Sequence, residues 1–268
     1  MNKLFHKIFW RIYLLVHSVG SLADFVYWAA SPVQYFGRQI NFYKAVRQHV
    51  SVDEVWRHRG IASGGGLQTG VTNICNAKCS FCAYPKAIAS KSLQTGVMSF
   101  EVFQKAVDEW VELGGESLDL TPVVGDPLVD PGLLDKVNYA VHRARIKRVM
   151  LTTNAILINH EDSYKKLIDA GINAVFISTQ GADKEQYEKV YGVKQYDKAI
   201  SGIHNLLKYN HEKGEPAEIV IRFRNAEKPS QILRSPDFQR YIRPFLSQQV
   251  RINFTVDFDN WGGSILPT

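Results

Sequence analysis

Cysteine is nearly missing from this chain: 268 residues contain three, at positions 75, 79 and 82. An odd count crowded into eight residues excludes a disulfide framework and points to a reducing compartment. No apolar stretch reaches the length of a membrane span, because His17, Ser18, Ser21 and Asp24 interrupt the N-terminal one. No small-residue cleavage pattern follows it, so a signal peptide is not expected. Net positive charge is also scarce outside one region. Residues 1–60 hold eight Lys and Arg against three Asp and Glu, a surplus of five in a chain whose total is +6. The remainder is close to neutral, which gives no reason to expect a nucleic-acid surface. The glycine run 64–66 lacks the Lys-Ser/Thr of a phosphate loop and reads as a hinge.

What is present is concentrated. The cysteines stand as Cys75-x3-Cys79-x2-Cys82, with Phe81 just before the third. A 4Fe–4S cubane takes one thiolate per iron, so three cysteines hold three irons and leave the fourth open to chemistry. Zinc is the alternative, but its structural sites are normally closed by four Cys or His ligands. His58 or another distant histidine would have to complete one.

Beyond the glycine run, short strands alternate with helical patterns. Strands are predicted over 67–73, 117–122, 148–153, 174–179, 218–224 and 251–257. Helices are predicted over 99–113 with Ser99 as N-cap, 131–145, 161–170 closed by Gly171, from Asp183 and from Tyr196 onward, and from Pro229 or Pro236 to Leu246. Such alternation implies parallel strands with right-handed crossovers. The expected fold class is α/β, a partial (β/α)6 TIM-like barrel with an N-terminal helical extension. Active groups collect at the carboxyl ends of the strands in such folds, and the cysteine loop follows the first strand.

With these residues the chain resembles the radical S-adenosylmethionine (radical SAM) enzymes. In that family the open iron chelates the methionine moiety of the cofactor, and the reduced cluster cleaves the sulfonium to a 5'-deoxyadenosyl radical that abstracts hydrogen from substrate. The resemblance implies that Cys75, Cys79 and Cys82 carry the 4Fe–4S cluster and that Phe81 lies near the adenine of S-adenosylmethionine. Gly125-Asp126-Pro127 resembles the family's Gly-Glu-Pro element, which receives the cofactor's amino group; aspartate stands here for glutamate. Thr152-Thr153-Asn154-Ala155 resembles a Thr-Asn-Gly strand end, where Asn154 would orient neighbouring loops or the nucleoside. Ala155 departs from that glycine, which questions a demand for positive φ there. Ser178 falls where a hydroxyl commonly meets the ribose or the methionine carboxylate.

Many relatives carry an arginine where this chain has Tyr191-Gly192, so a carboxylate clamp must come from elsewhere. Arg222 and Arg224 alternate with Phe223 and therefore share a face. One of them is expected to bind a carboxylate through its bidentate fork, a surface ion pair being the alternative. Asp257 and Asp259, at the end of the sixth strand, are the substrate-facing candidates. Residues 257–263 resemble the exit from the core in the SPASM branch, which continues into a cysteine-rich auxiliary-cluster domain. The expected organisation is a basic, aromatic-rich helical extension over 1–62, the core over 63–262, and the start of a missing C-terminal region over 263–268.

The resemblance implies an external one-electron donor of flavodoxin or ferredoxin type. It also implies a peptide or protein substrate, with a carbohydrate or nucleotide sugar as the alternative. A non-catalytic iron–sulfur electron-transfer or scaffold protein is the rival class, although a plain carrier would close its cubane with a fourth cysteine. The expected location is cytoplasmic. Lys3, Lys7 and Arg11 recur every four residues on one helical face, which suits a peripheral membrane contact, packing within the chain, or a partner protein.

Overall fold

Alternation decides the sheet. In 149–153, 175–179 and 219–223 every second residue is apolar or threonine and buried: Val149, Leu151 and Thr153, then Val175, Ile177 and Thr179, then Ile219, Ile221 and Phe223. Successive strand residues point to opposite faces, so these rows turn to one side. Polar and aromatic residues, Thr152, Phe176, Ser178, Arg222 and Arg224, turn to the other. The computed structural model describes residues 66–180, 183–224 and 228–255.

Six strands pair in sequence order, all parallel: β1 (Gly66–Gln68), β2 (Ser117–Asp119), β3 (Arg148–Thr153), β4 (Ala174–Thr179), β5 (Glu218–Arg224) and β6 (Val250–Thr255). The connections contain α1 (Tyr84–Ala89), α2 (Phe100–Glu112), α3 (Leu133–Asn138), α4 (Ser163–Asp169), α5 (Lys184–Tyr191), α6 (Tyr196–Glu212) and α7 (Pro229–Arg234). This is the open partial barrel expected. Phe103 and Val107 of α2, Val137 of α3, Leu167 of α4 and Leu206 of α6 share one core with the apolar strand rows. The helices therefore cover the outer face and leave the polar face as the concave side.

Helix ends follow their sequence signals. Ser99 caps α2 by accepting from the Val102 amide at 3.3 Å, and Asp183 caps α5 by accepting from Gln186 at 2.9 Å. Gly171 at φ 83° and Gly192 at φ 65° follow α4 and α5, as glycine does at left-handed C-termini.

Several elements depart from expectation. The second strand stops at Asp119 rather than 122, and the helix read to Leu246 is α-helical only over Pro229–Arg234, followed by a π-helical turn over Phe238–Ile242 and a 3-10 turn over Arg243–Phe245. The helix read over 131–145 is α-helical only over Leu133–Asn138 and continues as a π-helical turn over Tyr139–Arg143. The first strand ends at Gln68 rather than 73, because the chain there leaves the sheet for an antiparallel bridge, Thr72 with Val97.

At the amino ends of the strands, Glu218 bonds Arg148 at 2.6 Å and also pairs with Arg251, tying β3, β5 and β6 together. The opposite end is left for chemistry. No helix among the described residues is long and apolar enough to cross a membrane. The segment expected to form a basic N-terminal helix and the segment 257–263 lie outside the described residues.

Candidate active site

The cysteine loop is held at both ends by backbone. On entry, Met98 donates to the Val71 carbonyl at 2.8 Å, and the Asn73 amide bonds Gln94 at 2.8 Å and Gly96 at 2.7 Å. Midway, Lys78 N–H donates to the Tyr191 carbonyl at 2.9 Å and Ser80 N–H to Val190 at 2.8 Å, which docks the loop on the end of α5. A side chain at Gly192 would stand 2.7 Å from the Lys78 carbonyl, so glycine is what allows this approach. Within the loop, Cys82 N–H reaches the Cys79 carbonyl at 3.2 Å, and Tyr84 N–H points to the Cys82 sulfur at 3.5 Å.

All three free thiols are half-buried and line one cavity of about 340 Å³, within the range of small-molecule sites. Burial pushes Cys75 up to about 11, with the Ala77 amide opposing it. Burial and the neighbouring thiols raise Cys79 further. Cys82 is raised by burial, against the Tyr84 amide and Arg224. Without metal the thiols are held protonated; metal ligation must displace those protons.

A single zinc ion would draw its sulfurs to within about 4 Å of one another. Among the described residues no three Cys, His, Asp or Glu groups gather around one ion in this way. A cubane instead binds each thiolate to a different iron. Three thiols around a roomy cavity therefore fit a cluster better than a mononuclear site; His58 lies outside the described residues.

The loop after β2 brings Gly125 and Asp126 against the cysteine loop. Asp126 N–H donates to the Ile74 carbonyl at 2.9 Å. Gly125 has φ 122°, and a Cβ there would lie 3.0 Å from the carbonyl oxygens of Thr72 and Ile74. We expect Gly125→Ala to cost about 1–3 kcal/mol from backbone strain alone, read as a lower denaturant midpoint, and to lower the iron bound after reconstitution. Unchanged stability would contradict this packing.

Asp126 was expected to accept from the cofactor's ammonium group, but its carboxylate is committed elsewhere. One oxygen accepts from Leu128 N–H at 3.0 Å and the other from Asn154 N–H at 2.7 Å, while the Thr153 hydroxyl lies 3.0 Å from both. The residue is 2% exposed. Burial raises it to about 6 despite those donors. Asp126 thus braces β3 against the loop, and Pro127, which opens the following single turn, is buried.

Asn154 turns toward the cysteines. Its amide nitrogen donates to Asn76 at 2.7 Å and lies 3.9 Å from the Cys75 sulfur, and its oxygen accepts from Ile156 N–H at 2.9 Å. The bond to Asn76 ties the end of β3 to the cysteine loop. Ala155 does adopt positive φ, at 63°. The demand for a left-handed residue survives the loss of glycine, at about 1–2 kcal/mol for an L-residue, and Ala155 N–H reaches the Thr153 hydroxyl at 3.0 Å.

Ser178, Phe81 and Arg224 also line the cavity, together with Tyr191 and residues 121–124. The Ser178 hydroxyl is 3.4 Å from that of Tyr191. Tyr191 stacks on Tyr187 at 4.5 Å and meets the Phe81 ring edge-on at 5.7 Å. Arg224 lies over the Phe81 ring at 5.5 Å, and its buried Nε has no hydrogen-bond partner among the described residues. Arg222 is on the same face but outside the cavity lining, stacked on Phe176 at 4.2 Å. Asp257 and Asp259 lie outside the described residues.

Residues 121–124 and Tyr191 gave no sequence signal as cavity wall. Only the departure from arginine at 191 marked the latter. Val123, 75% exposed at the cavity rim, is a large apolar residue facing solvent, which a strand-period pattern cannot distinguish from loop.

A parallel open barrel carrying three cavity-facing thiols at its strand ends defines a class: α/β proteins built to hold a site-differentiated iron–sulfur cluster. The Radical SAM superfamily profile matches residues 69–226, more than half of the sequence, and the chain belongs to that superfamily. It is an enzyme of this class, with a 4Fe–4S cluster and S-adenosylmethionine as its cofactors.

Among curated relatives it is 24% identical over 163 residues to a GTP 3',8-cyclase of Mannheimia succiniciproducens, covering 60% of this chain and 47% of that protein. It is 30% identical over 142 residues to a probable GTP 3',8-cyclase of Sulfurisphaera tokodaii, covering 53% and 42%. The chain therefore spans less than half the length of these relatives. Among solved structures, Streptococcus suis SuiB aligns with a TM-score of 0.53 at 14% identity, covering 84% of this chain and 51% of that one. HydG, a maturase of the [FeFe]-hydrogenase, aligns with 0.52 at 16%, covering 71% and 42%. At these identities the likeness is one of fold.

Proposed function

We propose that this protein initiates radical chemistry on a small polar substrate bound on the concave side of the barrel. When bound, the cluster and S-adenosylmethionine supply an electron and a sulfonium whose reductive cleavage gives a 5'-deoxyadenosyl radical, able to abstract hydrogen from that substrate. The chain's own residues hold and orient. Cys75, Cys79 and Cys82 are the iron ligands, with the Asn154 amide directed at Cys75. Arg224 binds the cofactor carboxylate through its fork, Ser178 offers a hydroxyl, and Phe81 with Tyr191 forms an apolar wall for the adenine. Gly125 lets the backbone approach, while Asp126 and Pro127 fix that loop and no longer need to touch the ammonium group. Asp257 and Asp259 stay as candidate substrate contacts.

The observation that carries this reading is the meeting of three half-buried thiols and an unsatisfied guanidinium Nε in one cavity. An external one-electron donor of flavodoxin or ferredoxin type would reduce the cluster. The core is assigned to 63–262, with 1–62 as an extension.

The SPASM-like assignment, and the peptide or protein substrate it implied, rest on 257–263 alone. The curated relatives carry names that specify GTP, and a nucleotide or nucleotide sugar is accordingly preferred here. The test is anaerobic reconstitution followed by dithionite and S-adenosylmethionine. Formation of 5'-deoxyadenosine is expected; its absence from an iron-loaded protein would favour the non-catalytic electron-transfer or scaffold reading.

A further inference from the structure

We propose that Arg222, seated on Phe176, is an anion-binding subsite on the concave face of the barrel, one strand step below the cofactor cavity, that takes a phosphate or carboxylate group of the substrate. The inference deepens the radical-enzyme reading and rests on it.

Register fixes the location. Arg222 pairs with Ser178, and Phe176 with Thr152, all on the concave face. Arg224, two residues further along the same strand, lines the cavity; Arg222 lies one pleat nearer the amino end of β5 and is not part of that lining.

The guanidinium lies 4.2 Å over the Phe176 ring. Stacking on an aromatic face holds the plane in place but satisfies none of its N–H donors, which lie at the edge. Arg222 makes none of the ion pairs or hydrogen bonds found among the described residues. The carboxylates that could neutralise it are engaged: Glu218, on the same face, with Arg148 and Arg251, and Asp119 through the Thr121 amide and hydroxyl.

A half-buried cation next to a second one is costly unless an anion completes it. Burial first and then the Arg224 charge draw the Arg222 pKa down, and the Asp119 and Glu218 carboxylates offset this only in part. Two guanidiniums at successive depths suit two anions: the cofactor carboxylate at Arg224 and a substrate anion at Arg222.

The test is anaerobic calorimetry on the reconstituted full chain saturated with S-adenosylmethionine. Pyrophosphate and malonate are titrated in separate arms, which distinguishes a phosphate from a carboxylate source. At least one should bind the wild-type protein, and Arg222→Ala should weaken that anion at least tenfold while cofactor affinity changes less than twofold. Arg222→Lys, which keeps the charge and much of the packing but loses the fork, should fall between them.

The proposal is overturned if neither anion binds, if Arg222→Ala binds the anion as tightly as wild type, or if it loses cofactor affinity to the same extent. Production of 5'-deoxyadenosine by the same wild-type preparation reports separately on the parent reading.

Discussion

Replacing Cys79 with alanine is expected to abolish cluster assembly and, with it, cleavage of S-adenosylmethionine. Cys79 lies between the other two cysteines in sequence, and its thiol is pushed up by burial and by both neighbouring thiols. Such a thiol is a poor nucleophile when metal-free and becomes a thiolate only by binding iron. Removing it leaves two ligands where each iron needs its own. Iron content and the cluster's visible absorbance should fall to background in the reconstituted variant, and 5'-deoxyadenosine should fall below detection.

The fold should survive this change. Cys79 packs at the margin of the core rather than within it, and the loop's backbone ties to Tyr191 and Val190 do not involve its side chain. Far-UV circular dichroism close to that of the metal-free wild type would separate loss of a ligand from loss of structure. A variant that kept wild-type iron and turnover would remove Cys79 from the ligand set.

How much of this could be read from sequence depended on whether local pattern or tertiary geometry decided the matter. Strands β3, β4 and β5 fall on their expected bounds, because each alternates between a core face and a polar face and is closed by polar residues. β1 was overextended: 67–73 is apolar enough for a strand, and only the partner segment near Val97 draws Thr72 out of the sheet. The cysteines were legible because ligand spacing is local.

Asp126 shows the opposite case. Its motif gave the right loop, but the direction of its carboxylate depends on Thr153 and Asn154, 27 and 28 residues away. Ala155 teaches a related lesson. Residue type suggested an ordinary backbone, yet the buried turn between Thr153 and Ile158 imposes positive φ whatever side chain stands there. The arginine pair was legible as a shared face, whereas their depths relative to the thiols follow from strand register.

On the proposed reading, that difference in depth makes Arg224 the residue whose loss should cost the most cofactor affinity. Its Nε is buried without a partner among the described residues, its guanidinium sits over Phe81 at 5.5 Å, and it faces the cavity that the thiols share. A hydrogen bond to a charged group contributes about 1.5–3 kcal/mol, so Arg224→Ala should weaken S-adenosylmethionine about 10- to 150-fold. Arg224→Lys should recover part of this, since it restores charge without the planar fork. Reconstituted iron should stay near wild type in both, because neither change removes a ligand. Arg224 also lowers the Cys79 and Cys82 pKa values by its charge. Its loss should therefore slow cluster assembly most at the acid end of the working range, where the thiols are hardest to deprotonate, and least in alkaline buffer. Equilibrium dialysis with labelled cofactor measures the first effect and the rise of cluster absorbance against pH measures the second. If Arg224→Ala binds S-adenosylmethionine as tightly as the wild type, the carboxylate is held elsewhere and the clamp must be sought outside β5.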